Sequence, residues 1–202
     1  MIKIENKSPE EIAEIGREIG KAFAAEKDGI VKLLTEEQTI KAFEIMTECF
    51  YRMGILYSTS EIGEGYLAYW EKKTKPKSIS EYLHMIKRFL CELPPKAVMS
   101  VAKSGGAQYA KIFKKEKNYI AVEMVVVLRE FQGKGIMHKV LELPFTEARV
   151  KNIPCVLDTD TPLKAKKYIK CGMKMCGKRD SRAVARYIQW YIANDQAERS
   201  NK

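Results

Sequence analysis

The sequence contains no apolar run approaching the ~20 residues a membrane span requires, so no membrane association is expected. Its opening stretch, MIKIENKSPEE, has no apolar signal core, and a cytoplasmic location follows as the expectation. The five cysteines (Cys49, Cys91, Cys155, Cys171 and Cys176) are odd in number and lack paired spacing. They argue against a disulfide framework, and reduced thiols are expected. Cys171 and Cys176 come nearest to a metal pair, but no second pair or histidine lies close to them in sequence, so no metal is expected. Internal repeats and long low-complexity linkers are also lacking, and 202 residues read as one domain over 1–193 with a polar tail at 194–202.

What is present suits a folded, basic protein. Hydrophobic residues make up 46% and charged residues 31%, enough to bury a core and keep a polar surface. The net charge of +10 attracts polyanions: nucleic acid, an acidic membrane surface, or a small, highly phosphorylated ligand. Much of the surplus sits in short runs at 72–77, 111–117 and 164–170, where solvated faces and loops are the plain explanation.

The stretch that orders the rest is 118–140, NYIAVEMVVVLREFQGKGIMHKV. Its first half is nearly unbroken apolar and β-branched sequence, the pattern of a strand buried on both faces. Polarity turns over at Arg129-Glu130, and Gln132-Gly133-Lys134-Gly135 leads into a helix. A buried strand, a glycine turn and a helix N-terminus together make a place for an anion, because the free N–H groups of the first turn point at it. A Rossmann fingerprint would need a third glycine where Met137-His138 stand, and a Walker A loop would need a hydroxyl after Gly133-Lys134. Neither condition is met, and the residues alone leave an anion site or a plain turn.

Around this element, Ile2 and Ile4 predict a short opening strand. Two helices follow, capped at Ser8 and Thr35 by Ser8-Pro9-Glu10-Glu11 and Thr35-Glu36-Glu37-Gln38. Their stripes (Ile12, Ile15, Ile19, Phe23; Ile40, Phe43, Met46, Cys49, Phe50, Met53) read as core. Gly54 ends the second helix, and 55–58 with 65–70 predict an antiparallel hairpin. Two helical pieces between 74 and 117, the second interrupted by Gly105-Gly106, form an insertion that can shape a pocket. Beyond the centre come a helix at 136–150 that Pro144 should kink, a strand at 154–157, a helix at 162–170 closed by Gly172, and strands at 173–176 and 185–192. The last two should pair across a turn at 177–182. The order predicts an α/β fold with a mixed, mostly antiparallel central sheet flanked by helices.

Two segments resemble the GNAT superfamily of N-acetyltransferases. Gln132-Gly133-Lys134-Gly135-Ile136-Met137 is similar to its acyl-CoA-binding motif, Gln/Arg-x-x-Gly-x-Gly/Ala after a central strand. Thr161 to Met173 is similar to its second motif, with Pro162 six residues before Tyr168 and Gly172-Met173 where Gly-Phe is usual. The resemblance implies that the backbone of Val125, Val126 and Val127 pairs with the pantetheine arm of acetyl-CoA at a splayed strand end. It also implies that N–H groups from Gln132 through Gly133, Lys134, Gly135 and Ile136 to Met137 hold the pyrophosphate. By the same resemblance Tyr168 protonates the departing thiolate, against the alternative of a packing tyrosine.

Glu123, a carboxylate within an apolar strand, is costly unless paired or employed. The resemblance offers it as the base that deprotonates the acceptor amine, with burial raising its pKa. A structural ion pair with one of the many lysines is an equal reading. Three residues depart from the family pattern: Met137 puts a bulkier side chain at the phosphate loop, Met173 replaces the usual Phe as a tolerable core swap, and Lys164 stands where many relatives have Asn, losing a polar contact to CoA or adding a charge contact to its phosphates.

The function expected is direct acetyl transfer from acetyl-CoA to a primary amine of a small molecule, with a homodimer and nucleic-acid contact left open. The competing expectation is a GNAT-like protein that binds acyl-CoA or nucleic acid without catalysis.

Overall fold

A computed structural model describes the chain except for residues 27, 75–78, 104–108, 181–184 and 192–202; for 30, 103, 179–180 and 185–191 it describes the backbone alone. The expected tail at 194–202 thus lies outside the described residues.

Helix α1 (Pro9–Ala24) starts where a capping box directs it: Ser8 Oγ accepts from Glu11 N at 3.2 Å, and Glu11 Oε2 accepts from Ser8 N at 2.8 Å. Thr35 and Gln38 do the same for α2 (Glu36–Arg52). The two helices cross unusually closely. A Cβ at Gly16 would lie 2.6 Å from Glu44 Cα, and one at Gly20 would lie 2.6 Å from Ile40 Cα, so only glycine lets the α2 backbone in.

Gly54, at φ 67°, turns the chain out of α2. Strands β1 (Ile2–Lys3), β2 (Leu56–Ser58) and β3 (Gly65–Glu71) then run antiparallel, as the alternation predicts. The insertion carries three helices rather than two, α3 (Ile79–Glu92), α4 (Pro95–Lys103) and the single-turn α5 (Tyr109–Ile112). The Gly105-Gly106 interruption falls outside the described residues.

The central strand β4 (Ile120–Val127) leads through a 3-10 turn at Arg129–Phe131 into α6 (Ile136–Lys151). Pro144 does not end this helix, which runs on to Lys151; Pro144 lies on its buried face with Val140, Leu141, Phe145 and Ala148, where packing on the sheet offsets the missing N–H bond. Strand β5 (Cys155–Thr159), helix α7 (Pro162–Lys170), and strands β6 (Lys174–Asp180) and β7 (Ala185–Tyr191) complete the order. Strand β6 is longer than its apolar pattern suggests, because the ladder with β7 continues through polar Lys178 and Arg179. The expected turn at 177–182 is corrected at its start, since 177–180 belong to β6; residues 181–184 lie outside the described residues.

All the strands form one seven-stranded sheet, in the order β1-β2-β3-β4-β5-β7-β6, antiparallel everywhere except between β4 and β5. One face packs on α1 and α2 through residues such as Ile12, Ile19, Cys49, Phe50 and Met124. The other packs on α6 and α7 through Val122, Val140, Leu141, Phe145 and Tyr168. Among the described residues, no helix is long and apolar enough to cross a membrane.

Candidate functional site

The site begins where the sheet comes apart. Strands β4 and β5 are paired over three positions only, Ile120–Cys155, Ala121–Val156 and Val122–Leu157. From Glu123 onward β4 stays with β3 while β5 stays with β7, so the two middle strands diverge. Val126 faces Tyr66 of β3, while among the described residues the backbone groups on either side of it that face β5, those of Val125 and Val127, have no strand partner. Groups of that kind need hydrogen bonds from something.

That edge is one wall of a cleft of about 460 Å³, the rest of which includes Gln132, Gly133, Gly135, Ile136, Met137, Lys164 and Tyr168. The glycine turn has a backbone reason for its composition. Gly133 and Gly135 sit at φ 80° and 77°, and a Cβ on either would meet no atom within 4 Å. Left-handed backbone rather than crowding selects glycine here, and the open space above it leaves room for a ligand. Gly135 is the N-cap of α6 and brings no side-chain cap, so the first-turn N–H groups are not consumed by one. Gln132 Nε2 donates to Val127 O at 3.1 Å and ties the turn to the end of β4. A strand edge with free amide groups, followed by an open turn at a helix N-terminus, suits an amide-bearing arm that ends in phosphates.

Two expected residues stand differently from the rest. Met137 is half-buried: with Ile136 it packs against the core beneath α6 and also lines the cleft, so part of its bulk is turned away from the phosphate turn. Lys134 is not part of the cleft wall; its ammonium lies 5.3 Å from the centre of the Phe131 ring.

Tyr168 is placed by α7. Thr161 Oγ1 accepts from Lys164 N at 3.1 Å, Pro162 occupies the first helical position, and Ala165 with Tyr168 forms the buried face. The Tyr168 ring stands where the cleft meets a second, smaller pocket of about 170 Å³, and both pockets are lined by Tyr168, Phe23, Val125 and Lys164. Burial raises the pKa of the phenol well above its ordinary value, and the negative charges of Glu26 and Asp160 add to the effect. The group is therefore held protonated. The Lys164 ammonium is committed to two carboxylates, Glu26 Oε2 at 2.6 Å and Asp160 Oδ1 at 2.9 Å. Burial also raises the pKa of Glu26, with Lys164 opposing it.

Glu123 lines the smaller pocket, and a β-bulge puts it there. Ala68 pairs with Met124 and the next residue, Tyr69, with Val122, so Glu123 is the extra residue, opposite none. The bulge resets the alternation: Ala121, Met124 and Val126 belong to the core of the α1–α2 face, while Ile120 and Val122 belong to the other. Trp70 Nε1 donates to Glu123 Oε1 at 2.6 Å and Tyr109 Oη donates to the same oxygen at 2.7 Å. The expected ion pair with a lysine is replaced by these two neutral donors, and among the described residues none donates to Oε2. Tyr109 is itself anchored, its N–H donating to Asp158 Oδ1 at 3.1 Å. Burial, and then the carboxylate of Glu123 beside it, pushes the Tyr109 phenol far up.

Sequence reasoning did not find Trp70 and Tyr109. The available signal was general, since a buried indole or phenol needs a polar partner. Among the described residues no cluster of side chains could hold a metal ion.

Neither a family model nor a curated protein matches the chain. Solved structures do match it in shape. Arylalkylamine N-acetyltransferase 2 from Aedes aegypti superimposes with a TM-score of 0.59 at 13% identity, over 94% of this chain and 98% of that one. An N-acetyltransferase from Staphylococcus aureus Mu50 gives 0.55 at 16%, over 91% and 96%. The C-terminal condensation domain of Ebony, in complex with beta-alanyl-dopamine, gives 0.55 at 10%, over 95% and 100%. At these identities the likeness is one of fold. The class is thus a mixed α/β sheet that splays at its one parallel junction among the described residues, and the particular fold is the one these solved N-acetyltransferases share.

Proposed function

We propose that the protein transfers an acetyl group from acetyl-CoA directly to the primary amine of a small molecule. The observation that carries this reading is the junction of two pockets at one tyrosine: a cleft bounded by the free edge of β4 and the glycine turn, and a smaller pocket with a carboxylate in its wall. The structural neighbours support it, since two of them are named as N-acetyltransferases.

In this reading the pantetheine arm lies along Val125–Val127 and the pyrophosphate meets the N–H groups from Gln132 to Met137. Holding both reactants in one geometry supplies much of the rate. An ammonium substrate loses a proton to Glu123, whose Oε1 is fixed by Trp70 and Tyr109 while Oε2 remains to take it, directly or through one water. The neutral nitrogen attacks the thioester carbonyl, forming a C–N bond. Glu123 passes its first proton to solvent and takes the second amine proton as the tetrahedral species collapses, the C–S bond breaks, and Tyr168 gives its proton to the departing sulfur before being reprotonated from solvent. Burial raises the pKa of the phenol, but a thiolate expelled into the same poorly solvated place is more basic too, so the transfer stays matched.

Calorimetry with acetyl-CoA and a thiol-release assay against a panel of amines test the proposal. Binding, with thiol release that depends on an amine, is expected. No binding at millimolar acetyl-CoA would overturn it, and binding without release on any amine would leave an acyl-CoA-binding protein of the same fold.

A further inference from the structure

We infer that the acceptor is a monoamine carrying one compact apolar or aromatic body, and that diamines, polyamines and free amino acids are discriminated against. The inference rests on the acetyl-transfer reading above and adds what the smaller pocket selects.

The pocket is small. At about 170 Å³ it falls below the roughly 300–1,000 Å³ of sites for drug-sized ligands, which limits the acceptor to a single compact group. Its wall is divided. The sheet side contributes carboxylates, Glu123 from β4 and Asp158 from β5, with Asp160 just beyond the end of β5. The helix side, from α1 to α2, contributes Phe23, Val31, Leu34, Phe43 and Met46. Phe23 and Phe43 are stacked with centroids 3.9 Å apart and planes 6° from parallel, a rigid apolar surface. The polar side chain on that wall, Thr39, turns its hydroxyl back to the Thr35 carbonyl at 2.9 Å.

One ammonium therefore has a partner, at the sheet side. A second ammonium on the same substrate would be pressed against the helix wall, where the described residues offer no carboxylate, and burying an unpaired charge is costly. An α-carboxylate fares no better. Among the described residues the cation in the wall is Lys164, which already holds Glu26 and Asp160, and the other charged side chains there are Glu123 and Asp158. What remains is one positive charge joined to an apolar body.

The test is steady-state kinetics at saturating acetyl-CoA with 2-phenylethylamine, 2-cyclohexylethylamine, phenylalanine and spermidine. The two monoamines should exceed phenylalanine and spermidine in kcat/KM by about 100-fold or more, two factors of ten in the usual free-energy scale. Comparable or better rates with spermidine or phenylalanine would overturn the inference. Leu34→Asp supplies a gain-of-function arm that misfolding cannot mimic: a carboxylate on the helix wall should raise kcat/KM for spermidine about tenfold relative to 2-phenylethylamine. An unchanged ratio would count against the pocket assignment. Calorimetric titration of each amine into the protein with CoA bound separates the two claims. Selective binding of the monoamines without any transfer would sustain the pocket and overturn the transfer reading; transfer without monoamine selectivity would do the reverse.

Discussion

The indole N–H of Trp70 reaches Glu123 Oε1 at 2.6 Å from the neighbouring strand, across the bulge that displaces Glu123 from the ladder. The bond fixes one carboxylate oxygen, and among the described residues none donates to the other. Glu123→Gln keeps an acceptor for Trp70 but removes the carboxylate proposed as the base. Turnover should fall about 100-fold or more, in the usual range for a general base, while acetyl-CoA affinity stays unchanged. Trp70→Phe removes the donor from a half-buried carboxylate and should cost about 1–3 kcal/mol in denaturant unfolding. It should also lower kcat more than it raises KM.

Tyr168→Phe should fold normally, because the ring packing is kept. Its kcat should drop by about 100-fold with CoA binding unaltered. Since burial raises the phenol pKa above 10.0, ionisation of Tyr168 should produce no fall in kcat of the native protein up to pH 10. A loss of rate below that pH that vanishes in Tyr168→Phe would contradict the assignment.

Gly135→Ala isolates backbone strain from crowding, because a methyl group there meets nothing within 4 Å. A left-handed alanine costs about 1–2 kcal/mol, to be read as lost stability. If the turn holds phosphates, acetyl-CoA affinity should weaken as well, and a calorimetric Kd identical to that of the native protein would argue against that role.

Glu26 provides a pH test. Its folded pKa is raised from 4.5 by burial, so folding favours its protonated form. That favourable contribution is complete below pH 4.5 and disappears as pH rises through the folded pKa. Glu26→Gln should therefore gain stability relative to the native chain at neutral pH, and the difference should close as pH falls towards 4. Unfolding midpoints measured across that window check it.

Gly16→Ala and Gly20→Ala should each destabilise by about 1–3 kcal/mol through overpacking, although alanine is the better helix former. The closest atoms are α2 backbone, which cannot step aside without moving α2.

The parts legible in the sequence were those carried by local pattern: the capping boxes at Ser8 and Thr35, the β-branched run of β4, and the glycines whose left-handed backbone marks the turn. The splay of β4 from β5 entered through family resemblance and not through the residues, because Val125 looks the same paired or unpaired. The bulge at Glu123 was hidden for a related reason. A bulge is a relation between two strands, and the alternation of β4 alone cannot show where β3 loses step. Tyr109 was hidden by its insertion, whose short helix has too little periodicity to place it. Gly16 and Gly20 lie between isoleucines of a good helical stripe, and that stripe conceals the contact the glycines permit.

With only three residue pairs joining β4 to β5, the sheet is two half-sheets hemmed together at one end. Strands β1 to β4 hang on one side and β5 to β7 on the other, and helices α6 and α7 bridge them from one face. Under the acetyl-transfer proposal a bound pantetheine arm would stand in the gap between them as the missing strand. Acetyl-CoA should therefore slow amide exchange on both sides of it, in β4 and β5 alike, and raise the unfolding midpoint.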